Sequence, residues 1–224
     1  MKIRCVWEHN GNDSILYADN FVGAYARGET KDIALQKMVQ EVASYLKWKG
    51  ENVPDSLEAM IIQEKASALM ISDADSDVLF EEEKKPLIRA EYEAQDFLDL
   101  YEAVPDRNKS CLPVRKTFYG QIPRTASEMY EHTRNVNEYY FGEIGVEADN
   151  KGTIVECRER GFAALEGQHD FLNHIVCTGS YGEEWSLRKV LRRFIWHDRI
   201  HAKAMYRMAV RTFGVNIPNS FYFT

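Results

Sequence analysis

Residues 184–213 read EWSLRKVLRRFIWHDRIHAKAMYRMAVRTF, and this stretch decides how the second half of the chain folds. Apolar side chains recur in it every three or four positions, which is the spacing of an amphipathic helix. The apolar stripe of that helix contains Leu187, Val190, Leu191, Phe194, Ala204, Met205 and Met208. His197 and His201 fall inside the same stripe, four positions apart, so both imidazoles point into the protein. The sequence therefore predicts a long helix with two inward imidazoles that need partners for their polar nitrogen atoms.

The opposite face of this predicted helix is basic. It carries Arg188, Lys189, Arg192, Arg193, Arg199, Lys203 and Arg207. Such a face can attract an acidic ligand, but charged helix faces are more often solvated or paired within the protein, in salt bridges of modest energy. Most of the excess of acidic residues lies in residues 1–86. We therefore expect the acidic N-terminal part to dock against the basic face.

Three further helices are expected upstream, at about 87–104, 125–141 and 153–176, and the first of them ends at Pro105. A T-x-x-E capping box opens the second helix at Thr125 and Glu128, and another opens the third at Thr153 and Glu156. Four helices joined mostly by short connections are typical of a bundle. Residues 85–224 are therefore predicted to form an all-α four-helix bundle.

Residues 1–84 have a different pattern, which predicts a small α+β module. Alternating apolar residues at 3, 5 and 7 precede turn residues at 10–13 and a second apolar run at 14–18, as in a β-hairpin. Thr30 is placed to cap a helix that ends near Gly50. Two more strands are expected at 60–62 and 78–80, separated by a polar turn at 72–77. The predicted order is β-β-α-β-β, followed by a charged linker at 81–86.

Composition narrows the class of protein. The chain has 224 residues, of which 45% are hydrophobic and 28% charged, as in globular proteins of one large or two small domains. Its apolar runs are far shorter than the roughly 20 residues of a membrane span, and its first ten residues do not form a secretory signal. The net charge of −7 disfavours nucleic acid as a partner. The four cysteines contain no C-x-x-C pair, so we expect reduced thiols in a cytoplasmic protein.

A third histidine makes a metal site one solution for the two inward imidazoles. His132 lies one turn inside the predicted second helix, at the edge of its apolar face, whereas His9, His169 and His174 occupy less suitable positions. Three histidines with an open fourth position would suit catalysis or ligand capture. Imidazole binds zinc, nickel, iron and copper, so the spacing does not name the metal. The alternative is that the histidines only form hydrogen bonds with side chains, backbone or buried water.

Three segments together resemble the DinB/YfiT-like superfamily of metal-binding four-helix bundles. They are residues 117–132 (TFYGQIPRTASEMYEH), residues 185–191 (WSLRKVL) and the His197/His201 pair. The resemblance covers roughly residues 87–213 and implies His132, His197 and His201 as ligands of a divalent metal ion, zinc or nickel. It also implies Asp198 as a carboxylate near the metal, and the alternative for Asp198 is a partner for a neighbouring arginine. Members of this superfamily include thiol-dependent S-transferases and an isomerase.

The N-terminal module resembles HicB-like domains, which are small α+β antitoxin modules. The resemblance rests on residues 19–30 (DNFVGAYARGET) followed by residues 33–35 (IAL). Such antitoxins usually carry a DNA-binding element at the C-terminus, and here the helical pattern takes its place. We therefore do not expect it to repress transcription. A module that packs on the bundle or mediates dimerisation is favoured over one that binds a toxin.

Two classes of function fit these features. The first is a metal-dependent enzyme that acts on a small molecule, either as an S-transferase with a low-molecular-weight thiol or as a hydrolase with Asp198 as proton acceptor. The second is a non-enzymatic binding or regulatory protein, in which the HicB-like module mediates protein interaction or dimerisation. In either case we expect a homodimer.

Overall fold

The computed structural model describes residues 1–10, 13–76, 84–117, 120–173 and 176–223. A four-stranded sheet forms first, from β1 (Lys2–Asn10), β2 (Asp13–Ala18), β3 (Tyr25–Ala26) and β4 (Glu58–Lys65). The strand order is β3-β2-β1-β4; β1 pairs antiparallel with β2 and parallel with β4. The predicted hairpin is confirmed, with Trp7 opposite Leu16, and so is the strand at 60–62. The expected strand at 78–80 lies outside the described residues.

Helix α1 (Lys31–Trp48) connects β3 to the parallel strand β4. It begins where the sequence predicts, because the Thr30 side chain accepts a hydrogen bond from the Ile33 N–H at 3.3 Å. Its inner face joins the buried face of the sheet in one hydrophobic cluster, through Ala34, Met38 and Val42. The polar stretch at 72–77, expected as a turn, instead contains the single helical turn α2 (Asp73–Ser76).

The C-terminal part is mostly helical. Its helices are α3 (Lys84–Glu102), α4 (Ala126–Arg134), α5 (Val136–Gly142), α6 (Ile154–Glu166) and α7 (Leu187–Phe213), with a 3-10 turn at Phe171–Asn173. Two short hairpins accompany them, β5 (Lys116–Thr117) with β6 (Gly120–Gln121) and β7 (Cys177–Thr178) with β8 (Glu184–Trp185). Helix α3 begins at Lys84, so residues 84–86 are helical. The prediction of a linker at 81–86 is therefore wrong for these three residues. Pro86 lies in the first turn, where its missing N–H costs little.

Two predicted helices are shorter than the sequence pattern indicates. The helix expected at 125–141 is interrupted at Asn135, just after Thr133 donates its hydroxyl proton to the Met129 carbonyl, a contact that bends helices. The helix expected at 153–176 ends at Glu166, and a 3-10 turn at Phe171–Asn173 lies where its later part was expected. Both predicted capping boxes are present. The last helix begins at Leu187, capped by Ser186, rather than at 184.

Helix α7 lies at the centre of the molecule and contacts α2, α3, α4 and α5. The docking of acidic N-terminal residues against its basic face is confirmed, although this face is largely buried rather than solvated. Asp75 pairs with Arg192 at 2.6 Å, and Glu41 pairs with Arg199 at 2.8 Å. One hydrophobic cluster includes residues of both halves of the chain.

The structure therefore confirms the predicted fold class, an α+β part followed by a mostly helical part. The HicB-like and DinB-like folds and the division into 1–84 and 85–224 stay predictions. All four cysteines are free thiols, of which Cys5 and Cys157 are buried. Within the described ranges, no helix combines the length and the apolar character that a membrane crossing would need.

Candidate metal centre

Two helices bring the three predicted histidines close together. His132 lies on α4, whose start is fixed by the capping box: the Thr125 hydroxyl accepts from the Glu128 N–H, and the Glu128 carboxylate accepts from the Thr125 N–H, both at 3.1 Å. His197 and His201 lie one turn apart on α7. Because α4 packs against α7, the single imidazole of α4 meets the pair on α7.

The ligand atoms of these three imidazoles lie within 4.8 Å of one another. The Nε2 atoms of His132 and His197 are 3.2 Å apart, and the ring of His201 is centred 4.6 Å from that of His132 and 4.5 Å from that of His197. Tetrahedral zinc with Zn–N distances of about 2.0–2.1 Å places its ligand nitrogens about 3.3 Å apart. One pair is therefore already at the separation that a shared cation requires, and the third ring needs only a small side-chain adjustment.

The three imidazole rings differ in their exposure to solvent. His197 is only 7% exposed, His201 is half-buried and His132 is exposed to solvent. The ring of His197 is flanked by Tyr140 in an edge-on contact at 6.0 Å and by Trp196 in a stacked contact at 6.1 Å. Solvent can therefore reach the cluster at His132, while two aromatic rings flank the buried ring of His197.

Burial lowers the pKa of all three imidazoles below the ordinary value for histidine. For His197 the effect is large, and the neighbouring His132 and Arg158 lower its pKa further. For His201, burial is again the main cause, and the field of the other two histidines adds to it. All three rings are thus neutral at pH 7, and neutral imidazole is the form that binds a metal ion.

Asp198 lies behind His197, within the protein core. Its side chain is completely buried, and its Oδ2 accepts a hydrogen bond from the Arg158 guanidinium at 3.0 Å. Its Oδ1 lies 3.8 Å from the Nδ1 of His197, the ring nitrogen that faces away from His132. Burial raises the pKa of Asp198 and Arg158 opposes that rise. The separation of 3.8 Å is too long for a hydrogen bond, and neither atom has a hydrogen-bond partner among the described residues. The carboxyl group therefore lies behind the His197 ring without holding it, and it has no solvent-facing side.

Two of the other histidines lie away from the cluster: His9 is exposed at the end of β1, and His169 is exposed beside Asp170. His174 lies outside the described residues.

Sequence reasoning missed two buried charged residues near the site, Arg158 and Glu93. Arg158 is fully buried on α6, with its guanidinium 3.9 Å from the centre of the Phe194 ring. Glu93 is fully buried on α3, and burial together with Asp198 raises its pKa well above the ordinary value. Each falls on the inward stripe of its helix, one turn from Phe162 and Phe97 respectively. A charged residue on an apolar stripe is the signal that could have identified both.

Comparison of the chain with protein-family models, with curated proteins and with solved structures found no match. What the centre can do therefore follows from its own geometry. The arrangement consists of three neutral imidazoles, one solvent-facing side and a buried carboxylate–guanidinium pair behind one ring.

Proposed function

We propose that His132, His197 and His201 bind one divalent cation, zinc or nickel, and that the protein uses this ion to bind and activate a small molecule. The observation that supports it is the convergence of three imidazole nitrogens within 4.8 Å, supplied by two separate helices. Nitrogen-only ligand sets suit borderline cations such as zinc and nickel better than magnesium or calcium.

The residues present fit such an ion. In a metal-free protein, two imidazole nitrogens 3.2 Å apart are compatible only if one of them donates its proton to the other. A single cation would instead satisfy the lone pairs of all three rings, and the lowered pKa of each ring favours that state.

Three protein ligands leave a coordination position for an exogenous molecule, and the exposure of His132 puts that position at the surface. When bound, a divalent cation supplies Lewis acidity, which brings the pKa of a thiol or of water close to neutrality. The chain positions the ligands: α7 fixes the spacing of His197 and His201, and the rings of Tyr140 and Trp196 flank the buried ring of His197.

The reaction class that we propose first is S-transfer with a low-molecular-weight thiol, since the sequence resembles a superfamily that contains such enzymes. Hydrolysis is the alternative. Asp198, buried against Arg158, is not placed to act as the base of such a hydrolase. A thiol or a water held by the cation would each lose one proton, which can pass to solvent on the open side, so the order of these two classes rests on the resemblance.

Elemental mass spectrometry on untagged protein tests the metal site. The chain as purified, and after loading with zinc or nickel and desalting, should retain one ion. The double variant His132→Ala/His197→Ala should retain none, while His169→Ala, which removes an exposed imidazole outside the cluster, should match the unaltered chain. If the double variant keeps as much metal as the unaltered chain, or if the loaded chain keeps none, the proposal is wrong.

A second candidate function concerns the N-terminal module, which we propose mediates homodimerisation. Among the described residues, β4 is an outer strand of the sheet, and it exposes the large apolar side chains of Met60 and Ile62. An exposed apolar edge strand is a template for pairing with another strand. Light scattering after gel filtration should show a dimer that the variant Met60→Lys/Ile62→Lys converts to a monomer; a monomeric unaltered chain would refute dimerisation.

A further inference from the structure

A row of three tyrosine rings leads from the candidate metal centre to the protein surface. Tyr140 lies edge-on to His197 at 6.0 Å, and the ring of Tyr139 is centred 5.5 Å from that of Tyr140. Tyr181, in the connection between β7 and β8, lies edge-on to Tyr139 at 6.4 Å. We call Tyr139, Tyr140 and Tyr181 the aromatic strip. Its inner end touches a proposed metal ligand, and its outer end reaches solvent.

The outer end of the strip is uncovered. Tyr181 is 76% exposed, and no other large apolar side chain in the described ranges is exposed to that degree. Tyr139 is half-buried, whereas Tyr140 is 5% exposed. The two outer rings therefore present an apolar surface to solvent, and the inner ring belongs to the core.

Tyr139 lies on the same flank of α4 and α5 as the exposed imidazole His132. Buried side chains recur at positions 129, 133, 137 and 140, and the backbone of Asn135 between the two helices is itself helical, so one inner face continues through both. His132, Val136 and Tyr139 each precede a buried position by one residue and lie beside that face. Seven residues of helix rise about 10 Å, so a small molecule bound at the metal centre can reach the ring of Tyr139.

The turn that carries Tyr181 is anchored to the end of α5. The backbone N–H of Ser180 donates to the Glu143 carboxylate at 2.8 Å, and the Ser180 hydroxyl donates to the same carboxylate. Strands β7 and β8 pair on either side of this turn. Tyr181 is thus presented by a fixed segment, which lowers the entropy lost when a ligand packs against its ring.

The charges near the strip favour an uncharged group over an ion. Three charged side chains act on Tyr139, namely Glu143, Glu183 and Arg193. Each has a partner: Glu143 accepts from Ser180, and Arg193 pairs with Glu183 at 2.6 Å. Burial and the two carboxylates raise the pKa of Tyr139, so its phenol is neutral at pH 7.

We propose that the aromatic strip binds an uncharged aromatic ring of the small molecule that the cation at His132, His197 and His201 holds. Packing between two aromatic rings raises affinity about 2- to 10-fold beyond the effect of the area that they bury. The inference rests on the proposed function and deepens it by naming the substrate class. That class is an aromatic compound whose ring lies a few bonds from the atom that binds the metal.

Isothermal titration calorimetry on the zinc-loaded full chain tests the proposal with four probes that share one zinc-binding group. They are acetohydroxamate, benzohydroxamate, 3-phenylpropanohydroxamate and 3-cyclohexylpropanohydroxamate. At least one phenyl probe should bind 5-fold or more tightly than acetohydroxamate, because its ring reaches the strip. If 3-phenylpropanohydroxamate is that probe, its cyclohexyl analogue, which has the same reach without an aromatic ring, should bind about 2- to 10-fold more weakly than it does.

Variants locate the ring. Tyr181→Ala and Tyr139→Leu should each reduce the preference for the phenyl probe about 2- to 10-fold and leave acetohydroxamate binding unchanged. Should Tyr139→Leu fail to fold, the exposed Tyr181→Ala still tests the strip. Tyr222→Asn removes an exposed tyrosine of the C-terminal tail, where asparagine tolerates the φ of 55°, and should bind all probes like the unaltered chain.

Two results overturn the inference. The first is a zinc-loaded chain that binds the phenyl probes no more tightly than acetohydroxamate. The second is a preference for the phenyl probes that Tyr181→Ala and Tyr139→Leu both retain in full. In either case the metal site stands and only the strip is refuted. A loaded chain that keeps no zinc refutes the metal site, and the inference fails with it.

Discussion

Replacement of Asp75 by asparagine tests whether the N-terminal module is held to α7 by a buried ion pair. Three contacts join Asp75 to Arg192: Arg192 Nε lies 3.0 and 3.1 Å from the two carboxylate oxygens, and Nη2 lies 2.6 Å from one of them. The two side chains are 3% and 4% exposed. Asp75→Asn keeps the shape of the side chain and removes its charge, so Arg192 is left as a buried cation without its partner.

The expected loss of stability is large. Breaking a buried pair by removing one partner costs about 3–5 kcal/mol, because the remaining charge is desolvated and uncompensated. For a chain of this size each kcal/mol lowers Tm by about 2–4 °C, which gives a decrease of roughly 6–20 °C. Urea unfolding followed by circular dichroism should show the loss in free energy, and a thermal scan should show the decrease in Tm. A matched control is Asp73→Asn in the same helical turn, an exposed aspartate whose change should cost less than about 0.5 kcal/mol.

The pH dependence of this difference provides a second readout. Burial alone would raise the pKa of Asp75, but Arg192 outweighs it and holds the pKa below the ordinary value. A carboxyl group with a lowered pKa contributes stability above its unfolded pKa, about 3.9, and loses that contribution as the pH falls through the folded pKa. The difference between the unaltered chain and Asp75→Asn should therefore be full at pH 7 and shrink below about pH 4. A loss under 1 kcal/mol at pH 7, or one equal to that of Asp73→Asn, would refute the buried-pair explanation.

Three further predictions concern the metal centre, the packing and the thiols. Asp198→Asn should weaken zinc binding about 10- to 100-fold in a chelator competition, because the carboxyl group lies 3.8 Å from the second nitrogen of His197 and would accept its proton once a cation holds the ring; unchanged affinity would remove that role. Gly161→Ala should lower the free energy of unfolding by about 1–3 kcal/mol, since an added Cβ would lie 2.1 Å from a phenylalanine ring atom of α5, whereas Gly142→Ala, with no atom within 4 Å, should be neutral. An aromatic disulfide reagent should modify the exposed Cys111 first, while Cys5, fully buried and with its pKa raised to about 12, should react only on unfolding.

The local elements of the fold could be predicted from the sequence because their signals are local. The alternation before and after the first turn, the cap at Thr30 and the two T-x-x-E boxes each act within a few residues, and each is confirmed. The failures have tertiary causes. The last helix begins at Leu187 rather than at 184, because Glu184 and Trp185 form strand β8 and pair with β7. The apolar pattern at 125–141 is continuous, but the helix is interrupted at Asn135. Just before it, the Thr133 hydroxyl donates a hydrogen bond to the Met129 carbonyl, and this contact bends the helix.

The three histidines of the candidate centre could be predicted from the sequence, but the residues that surround them could not. The spacing of His197 and His201 is a property of one helix, and His132 lay on an apolar edge, so the three could be named without a structure. Their mutual distances depend on how α4 docks on α7, which no spacing encodes. The same holds for Arg158: its burial follows from the stripe on α6, but its partner Asp198 is set by the packing of α6 near α7.

Helix α7 makes the N-terminal module inseparable from the helical part, and this decides how the protein has to be studied. One face of α7 supplies two of the three imidazoles, while Arg192 and Arg199 on other faces pair with Asp75 and Glu41 of the module. At Gly23 the module's backbone approaches so closely that an added Cβ would lie 2.1 Å from an Ile195 side-chain atom. Removing the module would take these two carboxylates away from the helix that carries the histidines. Point variants of the full chain, not truncations, are therefore needed to study the candidate metal centre.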